Sequence, residues 1–211
     1  MPKKSSMITK KTLKNCHKGI IKMEQIKNYI KKLKENKSLI PMLVAIVLAF
    51  VMFLTIFMPY ASATEEYAER LEQYSDYYAL EELDMNGEDF INISMAKYAK
   101  VYSKMSEDIF GDSATGVLYV VLVVLIAIFA IGALVFAFFK KPIAVIVFDI
   151  LAFVVFCIQN WDYKDRGVIP SDNYNWGGAY YIFIICAIAV LVCAVASIIL
   201  KKIFEKKTVG G

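Results

Sequence analysis

The 211-residue chain is 58% hydrophobic and 21% charged, with a mean hydropathy of +0.52. A soluble domain carries roughly 45–50% apolar residues, and here the excess is gathered into four long apolar blocks, which excludes an ordinary soluble globular protein. The formal net charge of +4 is no argument for nucleic acid, because it averages strongly basic and strongly acidic segments.

Residues 1–38 hold twelve Lys against Glu24 and Glu35, a net +10. The stretch to Lys18 reads as a polar, disordered arm. Beyond it Ile20, Met23, Ile26, Ile30 and Leu33 recur at spacings of three and four among Lys residues, which predicts an amphipathic helix over 20–34. Such a helix suits the headgroup layer of a membrane, with its apolar face down and its Lys reaching anionic lipid headgroups. Docking on a cytoplasmic protein and a plain extension of the first span are the alternatives.

The first block covers residues 39–58. At 1.5 Å per residue, about 20 helical residues cross a ~30 Å hydrocarbon layer. Ala61-Ser62-Ala63 resembles a signal-peptide cleavage site, but the apolar block exceeds the typical h-region of ~7–15 residues. It reads as a retained span.

Residues 59–116 carry thirteen acids against Arg70, Lys97, Lys100 and Lys104, a net −9. A loop of this length needs structure of its own. Ser62 followed by Glu65 suggests a helix start, and Tyr67, Leu71, Tyr74 and Tyr78 form one stripe, which predicts a helix over 63–80. After an acidic turn marked by Asn86-Gly87, a second helical pattern passes through Ile91, Met95, Tyr98, Tyr102, Met105 and Ile109 to Gly111. Two helices this short must bury a face. Their Tyr-rich seams read as packing at interfacial depth; Tyr67, Leu71, Tyr74, Tyr78, Tyr98 and Tyr102 are also the candidate recognition surface for a protein, peptide or envelope polymer. The acids from Glu81 to Asp89 lack the ligand spacing of an EF-hand loop. Asn92-Ile93-Ser94 would accept a glycan only if it faced a secretory lumen.

The second span is expected over 117–139 and the third over 142–159, joined by Lys140 and Lys141. Pro142 is tolerated in a first helical turn. Asp149 lies eight residues beyond Lys141, about 12 Å into the membrane. No span contains Lys or Arg to neutralise it, so the carboxyl is expected to face the bundle interior or to be protonated. Cys193 and the backbone near Gly132 are its candidate polar neighbours. A proton- or cation-responsive group and a structural hydrogen bond between helices or subunits are the competing roles.

Residues 160–178 form the second outer loop, where Trp161, Tyr163, Tyr174 and Trp176, followed by Tyr180 and Tyr181, read as an aromatic belt at the headgroups. The fourth span, 179–200, repeats small residues at Ala189, Cys193 and Ser197. Ala133 and Ala137 on the second span and Ala45 and Ala49 on the first do the same, which predicts close helix packing along these seams. The tail 201–211 adds +3.

The alternation basic, acidic, basic, acidic, basic is what the positive-inside rule asks of four spans with both ends cytoplasmic. The expected fold is therefore an all-α plasma-membrane protein, an antiparallel four-helix transmembrane bundle with a helical outer loop between spans one and two. This layout resembles that of the claudin-like four-span proteins, but residues 60–115 contain neither Trp nor Cys, so no family relationship or junctional function follows. Tetraspanins carry their long loop between spans three and four instead.

His17 is the single histidine, and there is no HExxH helix, Ser–His relay or Gly-rich phosphate loop. No enzyme, cofactor or metal is expected. The reading is an interaction, scaffold or accessory subunit contacting lipid, a partner protein or a second copy; the alternative is a transporter or channel subunit that uses Asp149.

Overall fold

Residues 39–73, 75, 78–80, 83–111 and 113–209 are described by a computed structural model. The basic arm with its expected helix 20–34, and Tyr74, lie outside the described residues. Among the described residues, four helices are long and apolar enough to cross a membrane, spanning Leu39–Phe57, Ala114–Phe138, Pro142–Asp165 and Gly178–Ile203. These runs are rich in Val and Ile, which favour strands in water. In a hydrocarbon layer each backbone polar group must be satisfied within the segment, and the helix does so.

The first of them, α1 (Leu39–Leu54), continues into a 3-10 turn at Thr55–Phe57. Thr55 Oγ1 donates to the Met52 carbonyl at 2.6 Å, and the Met58 amide closes back on Thr55 at 3.2 Å before Pro59 ends the helical run. Its buried line, Met42, Ala45, Ala49 and Met52, has the three- and four-residue spacing of one helical face.

Between the first and second long helices the chain is not purely helical, and the all-α expectation is corrected there. Strand β1 (Pro59–Ala63) is the centre of a three-stranded sheet, paired antiparallel with β4 (Asn92–Ser94) on one side and β5 (Tyr174–Trp176) on the other. Ser62 stands opposite both Asn92 and Asn175. Its hydroxyl, expected to cap a helix, instead donates to Asn92 Oδ1 at 2.9 Å. Strands of three to five residues are too short to leave a periodic pattern or to stand alone, so they form because β1 is paired on both edges.

The helix expected over 63–80 is correspondingly shorter: α2 occupies Glu65–Gln73. Tyr78 falls in β2 (Tyr78–Leu80), which pairs with β3 (Met85–Asn86). Asn86 and Asp89 then exchange backbone and side-chain hydrogen bonds, at 3.3 and 3.2 Å, around the acidic turn. Helix α3 covers Met95–Phe110. Ser94 caps it, accepting from the Lys97 amide at 3.1 Å, and Gly111 ends it in the left-handed conformation, φ +66°, where a residue without a Cβ is favoured. Ile91 therefore precedes the helix.

Helices α4 (Ser113–Phe138) and α5 (Pro142–Asp165) are joined by a tight turn through Lys140, whose φ is also positive, and Pro142 opens α5. Helix α6 covers Gly178–Val209. Helix α4 packs against α1 and α5, and α6 packs against the same two, so the four long helices close a ring. Ala45, Ala49, Ala133 and Ala137 are all fully buried in it. Gly132 admits the Phe148 ring so closely that a Cβ there would collide with it.

Candidate functional site

At the polar end, five elements meet in a cluster of aromatic rings. Tyr60 comes from β1, Tyr98 and Tyr102 from α3, Tyr119 from α4, Tyr163 from α5 and Phe183 from α6, and all are buried. Tyr163 is at the centre: it stacks on Tyr119 with centroids 5.1 Å apart and planes at 9°, and tilts against Tyr98 at 5.3 Å. Tyr60 approaches Trp176 edge-on at 5.5 Å, and Phe156 stacks on Phe183 at 4.1 Å. Offset and edge-on rings at these separations attract one another beyond their buried area.

Arg166 covers this cluster. Its guanidinium carbon lies 5.0 Å from the Tyr119 ring centroid and 5.5 Å from that of Tyr102. It donates to the Tyr119 hydroxyl, and its Nε donates to Asp162 Oδ2 at 3.0 Å. A planar cation can stack on rings and pair with a carboxylate at once, which is why Arg rather than Lys suits the position. Tyr60 donates to Asn160 Oδ1, and the Gly177 amide donates to the Tyr60 carbonyl at 2.7 Å, drawing β5 onto β1. Burial, reinforced by Tyr98 and Tyr180, holds the Tyr60 hydroxyl well above its ordinary range. Burial, with Tyr174 and Tyr102, does the same to Tyr98. Both hydroxyls stay neutral rather than acidic.

The six residues of the expected recognition stripe therefore separate. Tyr98 and Tyr102 are part of the buried ring cluster. Tyr67 and Leu71 are half-buried on α2, where Tyr67 packs edge-on to Tyr174 at 5.4 Å. Tyr74 lies outside the described residues, as does the Tyr78 side chain. What α2 presents outward is acidic: Glu65, Glu66, Glu69 and Glu72 are exposed, and no residue of the helix is fully buried. Arg70 pairs with Glu66 on the same surface.

The expected belt also divides. Trp161 and Tyr181 are exposed, whereas Tyr163 is fully buried and Trp176 and Tyr180 are half-buried against the core. Sequence reasoning missed the role of Tyr163 and did not single out Arg166. A signal was present in the line Val145, Asp149, Ala152, Phe156, Gln159 and Tyr163, which is the buried face of α5.

Asp149 lies on that same face, 2% exposed, and its Oδ1 has no hydrogen-bond partner among the described residues. It lines a crevice of about 90 Å³ between α5 and α6, together with Ile150, Phe153, Ala187, Ile188 and Leu191. Ile150 and Ile188 are exposed on the surface of the bundle and form the mouth. Cys193 is not among the lining residues; Cys186 is the thiol within electrostatic reach of the carboxyl. The buried line of α6 passes through Ala187, Val190, Ala194 and Ser197, with Ala189 and Cys193 half-buried on its flanks. Gln159 and the Tyr163 hydroxyl, further along α5, are also buried, close to one another and with no well-formed hydrogen bond among the described residues.

Among the described residues no group of three His, Cys, Asp or Glu side chains could hold a metal ion. The chemistry available at Asp149 is that of one carboxyl in apolar walls: accepting a hydrogen bond, pairing with a cation or exchanging a proton. Comparisons with protein families, with curated proteins and with solved structures find no match to this chain.

Proposed function

We propose that the chain is a non-enzymatic interaction, scaffold or accessory subunit of the plasma membrane, threaded as an antiparallel four-helix bundle with both ends cytoplasmic. The observation that carries this reading is the apolar packing between the four long helices. Met42, Ala49, Ala133, Ala137, Val145, Val190 and Ala194 form one buried apolar cluster to which all four contribute. A conduit needs a continuous row of polar groups or water, whereas a packed bundle is suited to holding what lies at its ends. At one end α2 presents four exposed glutamates, and at the other the sequence places a net +10 over residues 1–38. The acidic face is then the outer contact for a protein partner or a second copy, and the basic arm the inner contact for anionic lipid.

Affinity purification of the full chain from its native membrane, in several detergents, tests the reading. Partners are expected to co-purify and to be lost when Glu65, Glu66, Glu69 and Glu72 are replaced together by Gln. No partner in any detergent would overturn it. Labelling Glu69→Cys, but not Lys140→Cys, with a membrane-impermeant maleimide on intact cells tests the threading.

The unpartnered Asp149 Oδ1 favours a second reading, a transporter or channel subunit coupled to protons or cations. It requires a proton or ion flux through reconstituted vesicles that disappears in Asp149→Asn.

A further inference from the structure

The Asp149 crevice combines three features that an internal structural role does not explain. Its carboxyl is almost wholly buried, yet Oδ1 meets no donor among the described residues. The other lining residues, Ile150, Phe153, Ala187, Ile188 and Leu191, are apolar. The mouth, between Ile150 and Ile188, is on the exposed surface of the bundle.

We propose that this crevice receives a transmembrane helix of another protein, which lies across the mouth and inserts one Lys or Arg side chain against the Asp149 carboxylate. The inference rests on the interaction reading above and names the chemistry of the partner. A volume of about 90 Å³ is too small for a helix but suits a single side chain. A long basic residue suits this lining: its methylene stem packs on Ile150, Phe153, Ile188 and Leu191, and its charged head reaches the carboxylate. Within a membrane, ionisable groups pair with one another, because neither alone is well solvated there.

A bare metal cation fits less well, since hard cations take several oxygen ligands and the lining supplies one carboxyl. A second copy of this chain fits less well too. Its spans carry Lys only near their ends, at Lys164, Lys201 and Lys202, and none at the depth of Asp149, so it would bring only another Asp149 to the first.

The test uses the full chain carrying a fused fluorophore in phosphatidylcholine vesicles, with energy transfer to a labelled Leu/Ala transmembrane peptide. One peptide has a single Lys at the depth of Asp149, and its control has Leu there. The expected result is association about tenfold tighter for the Lys peptide, retained in Asp149→Glu and abolished in Asp149→Asn. Ile188→Trp, on the exposed rim and outside the packed core, is expected to block the Lys peptide while leaving thermal unfolding unchanged, and it carries the test if Asp149→Asn does not fold.

Equal binding of the two peptides, or a Lys preference that survives Asp149→Asn, overturns the proposal. So does energy transfer between two copies of the chain that is lost in Asp149→Asn, which assigns the crevice to self-association. An Asp149-dependent proton flux overturns it in favour of transport. If the Lys preference is absent while partners still depend on the α2 glutamates, the crevice proposal falls and the interaction reading stands; absence of both removes the reading itself.

Discussion

Arg166 caps the C-terminal end of α5, the helix that carries Asp149, and the chain treats the two in opposite ways. Around Arg166 it supplies Asp162, the Tyr119 hydroxyl and two ring faces within 5.5 Å. Around Asp149 it supplies aliphatic and aromatic walls, and Oδ1 has no hydrogen-bond partner among the described residues. A buried polar group that serves internal architecture is normally satisfied by its own chain, because leaving it unpaired costs stability. Arg166 therefore reads as finished structure and the Asp149 crevice, which opens at the exposed surface of the bundle, as an unfinished one, completed by something from outside.

The largest effect that tests this contrast belongs to the centre of the ring cluster. Tyr163→Ala removes the side chain on which Tyr98 and Tyr119 pack, and is expected to cost about 3–5 kcal/mol in denaturant unfolding of the detergent-solubilised chain. A loss below about 1 kcal/mol would mean that the rings collapse freely and do not join the sheet to the helices. Arg166→Met comes next, with about 1–3 kcal/mol lost as Asp162 and the Tyr119 hydroxyl lose a charged partner. Asp149→Leu is expected to move the other way. In the isolated chain it removes an unpaired buried acid, and stability stays level or rises by about 1 kcal/mol. A loss in Asp149→Leu as large as that in Arg166→Met would erase the contrast and make Asp149 an internal structural group.

The parts of this contrast were unequally visible before the structure. Four crossing helices announce themselves because each apolar run is about as long as a bilayer is thick. Asp149 stands out as the one acid deep in such a run. The sheet does not, because β1 pairs with Asn92–Ser94 and Tyr174–Trp176, segments far apart in sequence and each three residues long. Their extended conformation is imposed by tertiary pairing rather than by local preference. The surroundings of Asp149 were hidden for a different reason. Small residues repeat on α6 in two registers, through Ala187 and Ala194 and through Ala189 and Cys193. Two positions along a helix turn the face by roughly 200°, so composition alone cannot choose which face meets α5. Tyr163 was visible on the periodic line of α5, but an aromatic residue near the end of a span satisfies the belt pattern equally well.

The smallest effect concerns a pair that is neither buried nor unfinished. Lys97 Nζ is 2.8 Å from Asp89 Oδ1, and its hydrogen bond is the main reason that the Asp89 carboxyl is held below the usual carboxylate range. A depressed folded-state pKa means that the ionised form is favoured more in the folded chain than in the unfolded one. The resulting stability is complete above about pH 4–5 and is lost as pH falls through the depressed folded value. Both side chains are about a third exposed, 38% and 33%, so the pair is worth about 0.2–1 kcal/mol and is screened by salt. Asp89→Asn should therefore lower the unfolding midpoint slightly at neutral pH, and the gap to the wild type should close at about pH 2. A gap that persists in acid would belong instead to the Asn86–Asp89 turn, where the Asp89 side chain accepts from the Asn86 amide at 3.3 Å and the substitution changes that acceptor whatever its charge. The test separates charge from geometry at the exposed surface, where solvent already satisfies what the chain leaves unpaired; the crevice has no such recourse, and that is why an unpaired group there points to a partner.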